Sequence, residues 1–144
     1  AGGFALGLAM NGTGLAENAV NSIPFSEFDP LVIMVVSGLV CFILSNFISN
    51  TATAALLIPI LTVVCAGMGD TLAGIGGTST VIIGVAVAAS CAMSLPISTP
   101  PNAIAYSTGL IQQTDMVKAG LTVGALSMVI GYAVLIFFCR MGLL

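Results

Sequence analysis

The chain has 144 residues, of which 58% are hydrophobic and 5% charged, with a formal net charge of −3 and no histidine. A mean hydropathy of +1.21 exceeds what a water-facing surface tolerates, so composition excludes a soluble globular domain and leaves an integral membrane segment; an all-α, multi-pass chain in the cell membrane is expected. No nucleic-acid partner is expected.

The charged residues are Glu17, Glu27, Asp29, Asp70, Asp115, Lys118 and Arg140, leaving uncharged windows over 30–69, 71–114 and 119–139. The last window gives one helix of about 30 Å, a bilayer core, and each of the other two must hold two helical pieces. Lys118 and Arg140 flank the last window on opposite sides, so charge gives no orientation. Cys41, Cys65, Cys91 and Cys139 lack metal-ligand spacing and read as small buried hydrophobes.

In chain order, the opening "AGGFALGLAM" has no initiating Met and no signal-peptide pattern, which reads as a piece of a longer polytopic protein. Residues 3–16 read as a short helix stopped near Gly12 to Gly14, with Gly3 and Gly7 as a small-residue packing pair. Residues 17–30, with three acids, Pro24 and Pro30, read as a surface connection.

The window over 30–69 divides at Ser49, Asn50 and Thr51 into arms over 31–47 and 52–67. Two spanning helices joined by a surface loop would fit. A re-entrant hairpin over 31–67, its tip inside the membrane, fits the uncharged tip better, since irregular backbone at depth is tolerated only where it lines a protein cavity. Residues 68–80 form a Gly/Thr-rich linker.

A helix over 81–97, bent at Pro96, is predicted to stop before Thr99, because Pro100 and Pro101 remove two donors and push the preceding residues from helical dihedrals. A second half-helix then starts at the prolines and runs to about Gln112. Together they form a discontinuous helix over 81–113, with a simple kink as the alternative. The last transmembrane helix is predicted over 119–139, where Gly120 and Gly124 serve packing.

Two interruptions at depth would present two kinds of helix end. Helix C-termini offer carbonyls that suit a small hard cation; helix N-termini offer N–H groups that suit an anion. No Lys or Arg lies inside an uncharged window, so a buried anion would need a bound cation beside it. Broken helices with ion and substrate meeting near the midplane mark secondary transporters. No Asp, Glu or His lies inside the uncharged windows to carry a proton, which favours sodium over protons. An enzyme is not expected: a nucleophilic Ser49 would have no base. A structural membrane module that merely packs through Gly3, Gly7, Gly120 and Gly124 is the distant alternative.

At these residues the chain resembles a known family. "SNTATAALLIP" (49–59), "LPISTPPNAI" (95–104) and "TDMVKAGL" (114–121) resemble the C-terminal part of the divalent anion:sodium symporters, over nearly the whole chain. The resemblance implies the second half of an inverted-repeat transporter fold, with the first repeat upstream. It implies a homodimer of the full-length protein and elevator-like movement of the transport domain. Ser49, Asn50, Thr51, Thr99 and Pro100 would then bind the substrate carboxylate. Sodium would be held by the Asn50 side chain and by backbone carbonyls near Ser45, Ile48 and Ser98.

The function so implied is sodium-coupled transport of a divalent organic anion such as succinate. A sulfate symporter or a sodium-independent exchanger of the same fold is the alternative. The chain departs from the family pattern at Asn46, where many relatives carry an acid, and at Ser98, where they carry Ala.

Overall fold

The computed structural model describes residues 12–14 and 29–143. The first helix and most of the acidic connection expected before residue 29 lie outside the described residues. The elements among the described residues are α1 (Pro30–Phe47), α2 (Asn50–Met68), a 3-10 helix (Gly69–Ile75), α3 (Gly77–Cys91), α4 (Pro100–Ser107) and α5 (Gln113–Arg140).

Helix α1 starts where local chemistry allows it. Pro30 occupies the first turn, and the Leu31 N–H donates to Asp29 Oδ1 at 2.8 Å. It ends at Ile48, extended at φ −120° and ψ 160°. Ser49 is already the cap of α2, its Oγ accepting the Ala52 N–H at 3.3 Å. The second arm therefore begins at Asn50, two residues earlier than expected. Gly69 closes α2 at φ +54°, a left-handed angle that L side chains avoid. The expected Gly/Thr-rich linker over 68–80 is largely helical, its 3-10 turn passing through Gly76 into α3 at Gly77.

The broken helix differs most from the sequence reading. Helix α3 ends at Cys91, well before Thr99, and residues 92–99 are not helical. Helix α4 stops at Ser107 rather than Gln112, because Gly109 turns the chain at φ +73°. Helix α5 begins at Gln113 rather than 119, taking Asp115 and Lys118 into its exposed first turns. Asp115 there faces the positive end of the helix dipole.

Helix α3 is central and packs against α1, α2 and α5. Gly84, Val85, Ala88 and Ala89 are buried in it, small residues that let neighbouring backbones approach. Cys41 Sγ donates to the Val85 carbonyl at 3.4 Å, and Asn46 reaches Ser94, so α1 and α3 run the same way. Helix α5 runs opposite. Tyr132 lies against Gly38 and Gly84 and donates to the Met34 carbonyl at 3.4 Å, whereas Gly120 lies against Ser94. A Cβ on Gly120 would come within 2.5 Å of Ser94 Cα, and one on Gly124 within 2.5 Å of the Cys91 carbonyl. These two glycines thus press α5 onto the broken end of α3.

By length and composition, α1, α2 with its 3-10 extension, and α5 can each cross a membrane. Helix α3, at 15 residues, spans only about 22 Å, short of the roughly 30 Å hydrocarbon core. Cys41, Cys65 and Cys91 are buried and Cys139 is half-buried, all as free thiols.

Candidate functional site

Both interruptions lie at the same end of the packed helices, and hydrogen bonds join them. The Asn50 N–H donates to the Ser98 carbonyl at 3.5 Å, and Asn50 Nδ2 donates to the Ala92 carbonyl at 3.3 Å. Ser94 N–H donates to Asn46 Oδ1 at 3.0 Å, and Ser98 Oγ donates to the Asn46 carbonyl at 3.0 Å. Asn102 Nδ2 closes the segment from its far side, reaching the Met93 carbonyl at 2.7 Å and the Leu95 carbonyl at 3.2 Å.

These bonds explain the early end of α3. An unwound stretch buried among helices must satisfy its backbone groups in some other way. Here the side chains of Asn46, Asn50 and Asn102 replace part of the missing helical ladder. Asn46 and Asn102 were not among the residues singled out from sequence as ligands. The available signal was an amide in the last turn of an apolar helix and another directly after two prolines. Asn46 and Ser98 touch each other through the bond from Ser98 Oγ to the Asn46 carbonyl.

The helix C-terminal side collects oxygen. Among the described residues, the carbonyls of Ser45 and Ile48 accept no hydrogen bond, and the Ser98 carbonyl takes only the long bond from Asn50. Asn50 Oδ1 is buried without a partner, as are Thr53 Oγ1 and Ser94 Oγ. A buried oxygen left unpaired costs about 1–3 kcal/mol, so a cation at Asn50 Oδ1 would relieve a real penalty. Neutral oxygens of this kind suit a hard cation. Among the described residues there is no His, Cys, Asp or Glu cluster to hold a transition metal.

The helix N-terminal side is more selective than the sequence suggested. Helix α4 was expected to offer free N–H groups after Pro101. Pro100 and Pro101 have none, Asn102 N–H goes to Thr99 Oγ1 at 3.4 Å, and Ala103 N–H goes to the Thr99 carbonyl at 3.2 Å. The backbone donors left free at the two caps are those of Ser49, Thr51 and Thr99, among the described residues. The Ser49 and Thr99 hydroxyls accept cap bonds and keep their own protons to donate outward. Ser49 and Thr51 are exposed, Asn50 and Thr99 half-buried; Pro100 is exposed and has only its ring and carbonyl to offer.

A family model described as citrate transporter matches residues 1–75. The chain belongs to the citrate transporter family, the divalent anion:sodium symporters. Relatives of this symporter family extend the match over most of the chain. A sodium-dependent dicarboxylate transporter of Staphylococcus saprophyticus is 34% identical over 137 residues, 94% of this chain and 25% of the relative. The solute carrier family 13 member 4 of Homo sapiens is 35% identical over 130 residues, covering 90% and 20%. The Na(+)/citrate cotransporter of Rattus norvegicus is 32% identical over 126 residues, covering 87% and 21%. The chain thus spans a fifth to a quarter of the length of these curated relatives. Symporters of this family are integral membrane transporters rather than enzymes, and the apolar helices described above agree with membrane insertion.

Proposed function

We propose that this chain forms the second repeat of a sodium-coupled secondary transporter for a divalent organic anion, a C4-dicarboxylate such as succinate. In this reading α1 and α2 are a re-entrant hairpin and α3 and α4 a broken membrane helix, with residues 48–50 and 92–99 meeting inside the bilayer. The observation that carries it is Asn50, which joins the two interruptions through its N–H and Nδ2 while its Oδ1 stays buried and unpaired.

Each helix end then has a task. Sodium takes Asn50 Oδ1 with the carbonyls of Ser45, Ile48 and Ser98. The substrate carboxylate takes the N–H groups and hydroxyls of Ser49, Thr51 and Thr99, beside Pro100. An anion alone in so apolar a place would carry a Born penalty of roughly tens of kcal/mol. The neighbouring cation lowers that penalty, so each ligand raises the other's affinity; this reciprocity is the coupling. The names of the sodium-dependent dicarboxylate and citrate relatives support both the ion and the substrate class. The full-length protein is read as a homodimer whose transport domain moves through the bilayer.

The test is uptake into proteoliposomes holding the complete transporter, with labelled succinate and either sodium or choline outside. Uptake should need sodium and should be competed by citrate less strongly than by succinate. Equal rates in sodium and choline would replace the symporter reading with an exchanger, and sodium-dependent uptake of labelled sulfate with none of succinate would replace the substrate. Asn50→Ala should lose coupled uptake.

A further inference from the structure

Among the described helical hydroxyls that are buried, Thr53 alone lacks a partner: Ser45 Oγ lies 3.9 Å from Cys41 Sγ, and Thr80 Oγ1 accepts from Cys139 Sγ at 3.9 Å. Thr62, Ser90 and Thr122 each lie inside a helix and donate to the carbonyl four residues back, at 2.8, 2.8 and 2.7 Å. That local bond is one of the two usual outcomes for a hydroxyl inside a helix, the other being exposure to solvent. Thr53 also lies inside a helix, its side chain is 1% exposed, and its Oγ1 has no hydrogen-bond partner. The carbonyl four residues back, that of Ser49, takes only the Thr53 N–H, at 3.0 Å. The bond that Thr62 makes is open to Thr53 and is not made.

Thr53 stands three residues after Asn50, on the same face of α2. Side chains at that spacing have Cβ atoms about 5–6 Å apart. Two oxygens on such a pair can share a hard cation with ligand distances of about 2.3–2.6 Å. Among the described residues, Asn50 Oδ1 is the other unpaired buried side-chain oxygen on this face. Ser94 Oγ is unpaired too, but it lies on the unwound segment, with no fixed helical register to Asn50.

We infer that the Thr53 hydroxyl is a further oxygen ligand of the sodium ion held by Asn50. This rests on the sodium-site reading above and adds a fifth oxygen, one supplied by a side chain rather than by backbone. A carbonyl ligand survives substitution of its residue; a hydroxyl ligand does not, so Thr53 is a position where sodium affinity depends on residue identity.

The experiment compares Thr53→Val, Thr53→Ser and Asn50→Ala in the complete transporter, by thermal melting in choline and in sodium and by the sodium dependence of succinate uptake. Val matches Thr in shape and removes an unpaired hydroxyl, so Thr53→Val should melt at or above wild type in choline. In sodium it should gain less, and its sodium midpoint should rise about tenfold, the scale of one bond to a charged group. Thr53→Ser keeps the hydroxyl and should keep the sodium response. Asn50→Ala gives the shift that remains from any other sodium site. If Thr53→Val is not obtained folded, Thr53→Ala against Thr53→Ser gives the same comparison. A wild-type sodium midpoint and melting shift in Thr53→Val, with Asn50→Ala impaired, would overturn the Thr53 assignment alone and leave that hydroxyl to water. Wild-type sodium behaviour in Asn50→Ala would overturn the sodium site and this inference with it.

Discussion

Asn46 Oδ1 accepts the backbone N–H of Ser94 at 3.0 Å, a bond between residues 48 positions apart. It ties the last turn of α1 to the unwound end of α3, while Asn46 Nδ2 anchors back to the Phe42 carbonyl at 2.8 Å. Removing the amide leaves a buried N–H with no acceptor. Asn46→Ala is therefore expected to destabilise the complete transporter by about 1–3 kcal/mol, read as a lower melting temperature, and to weaken sodium binding. Asn46→Asp, kept protonated by burial, retains an acceptor for Ser94 and one donor for Phe42, and should melt between the two. Wild-type melting and sodium affinity in Asn46→Ala would show that the clasp contributes nothing.

Thr51 offers a cleaner view of the substrate. Its hydroxyl makes no hydrogen bond among the described residues, and the side chain is exposed. Thr51→Ala should leave stability within about 0.5 kcal/mol while raising the KM for succinate about tenfold, the scale of one bond to a charged group. An unchanged KM would remove Thr51 from the substrate site.

Gly120 sets how closely α5 approaches the break. A methyl there would press on Ser94 Cα, with the Met93 carbonyl at 2.6 Å. Both are backbone atoms that cannot turn aside. Gly120→Ala should cost about 1–3 kcal/mol as overpacking and should also disturb sodium affinity, because the displaced segment carries Ser98. Gly74 has open space around it, so Gly74→Ala should change stability by less than about 0.5 kcal/mol. Equal behaviour of the two variants would contradict the packing described.

Accessibility distinguishes a site from a mere packing surface. In a cysteine-free transporter, single cysteines at Ser49→Cys and Thr99→Cys should react with a water-soluble thiol reagent and be protected by succinate with sodium. Val85→Cys, at a fully buried position, should stay unlabelled. Labelling at 49 and 99 that succinate never blocks would favour the structural-module alternative.

The sequence by itself determined that the chain belongs in a membrane and that its helices are interrupted near Ser49 and near Pro100. Both are local properties: charge-free windows follow from residue type, and two adjacent prolines remove two donors in any fold. The tertiary structure alone decided how far α3 unwinds and which polar groups are left over. Helix α3 stops at Cys91 because Asn46, Asn50 and Asn102 satisfy backbone groups over 92–98, and two of those asparagines come from helices more than 40 positions away. Free donors at Ser49, Thr51 and Thr99, the carbonyls of Ser45 and Ile48, and the unpaired oxygens of Asn50, Thr53 and Ser94 are among what remains once every such bond is made. That remainder depends on the packing of all the helices together, and no local stretch of sequence encodes it.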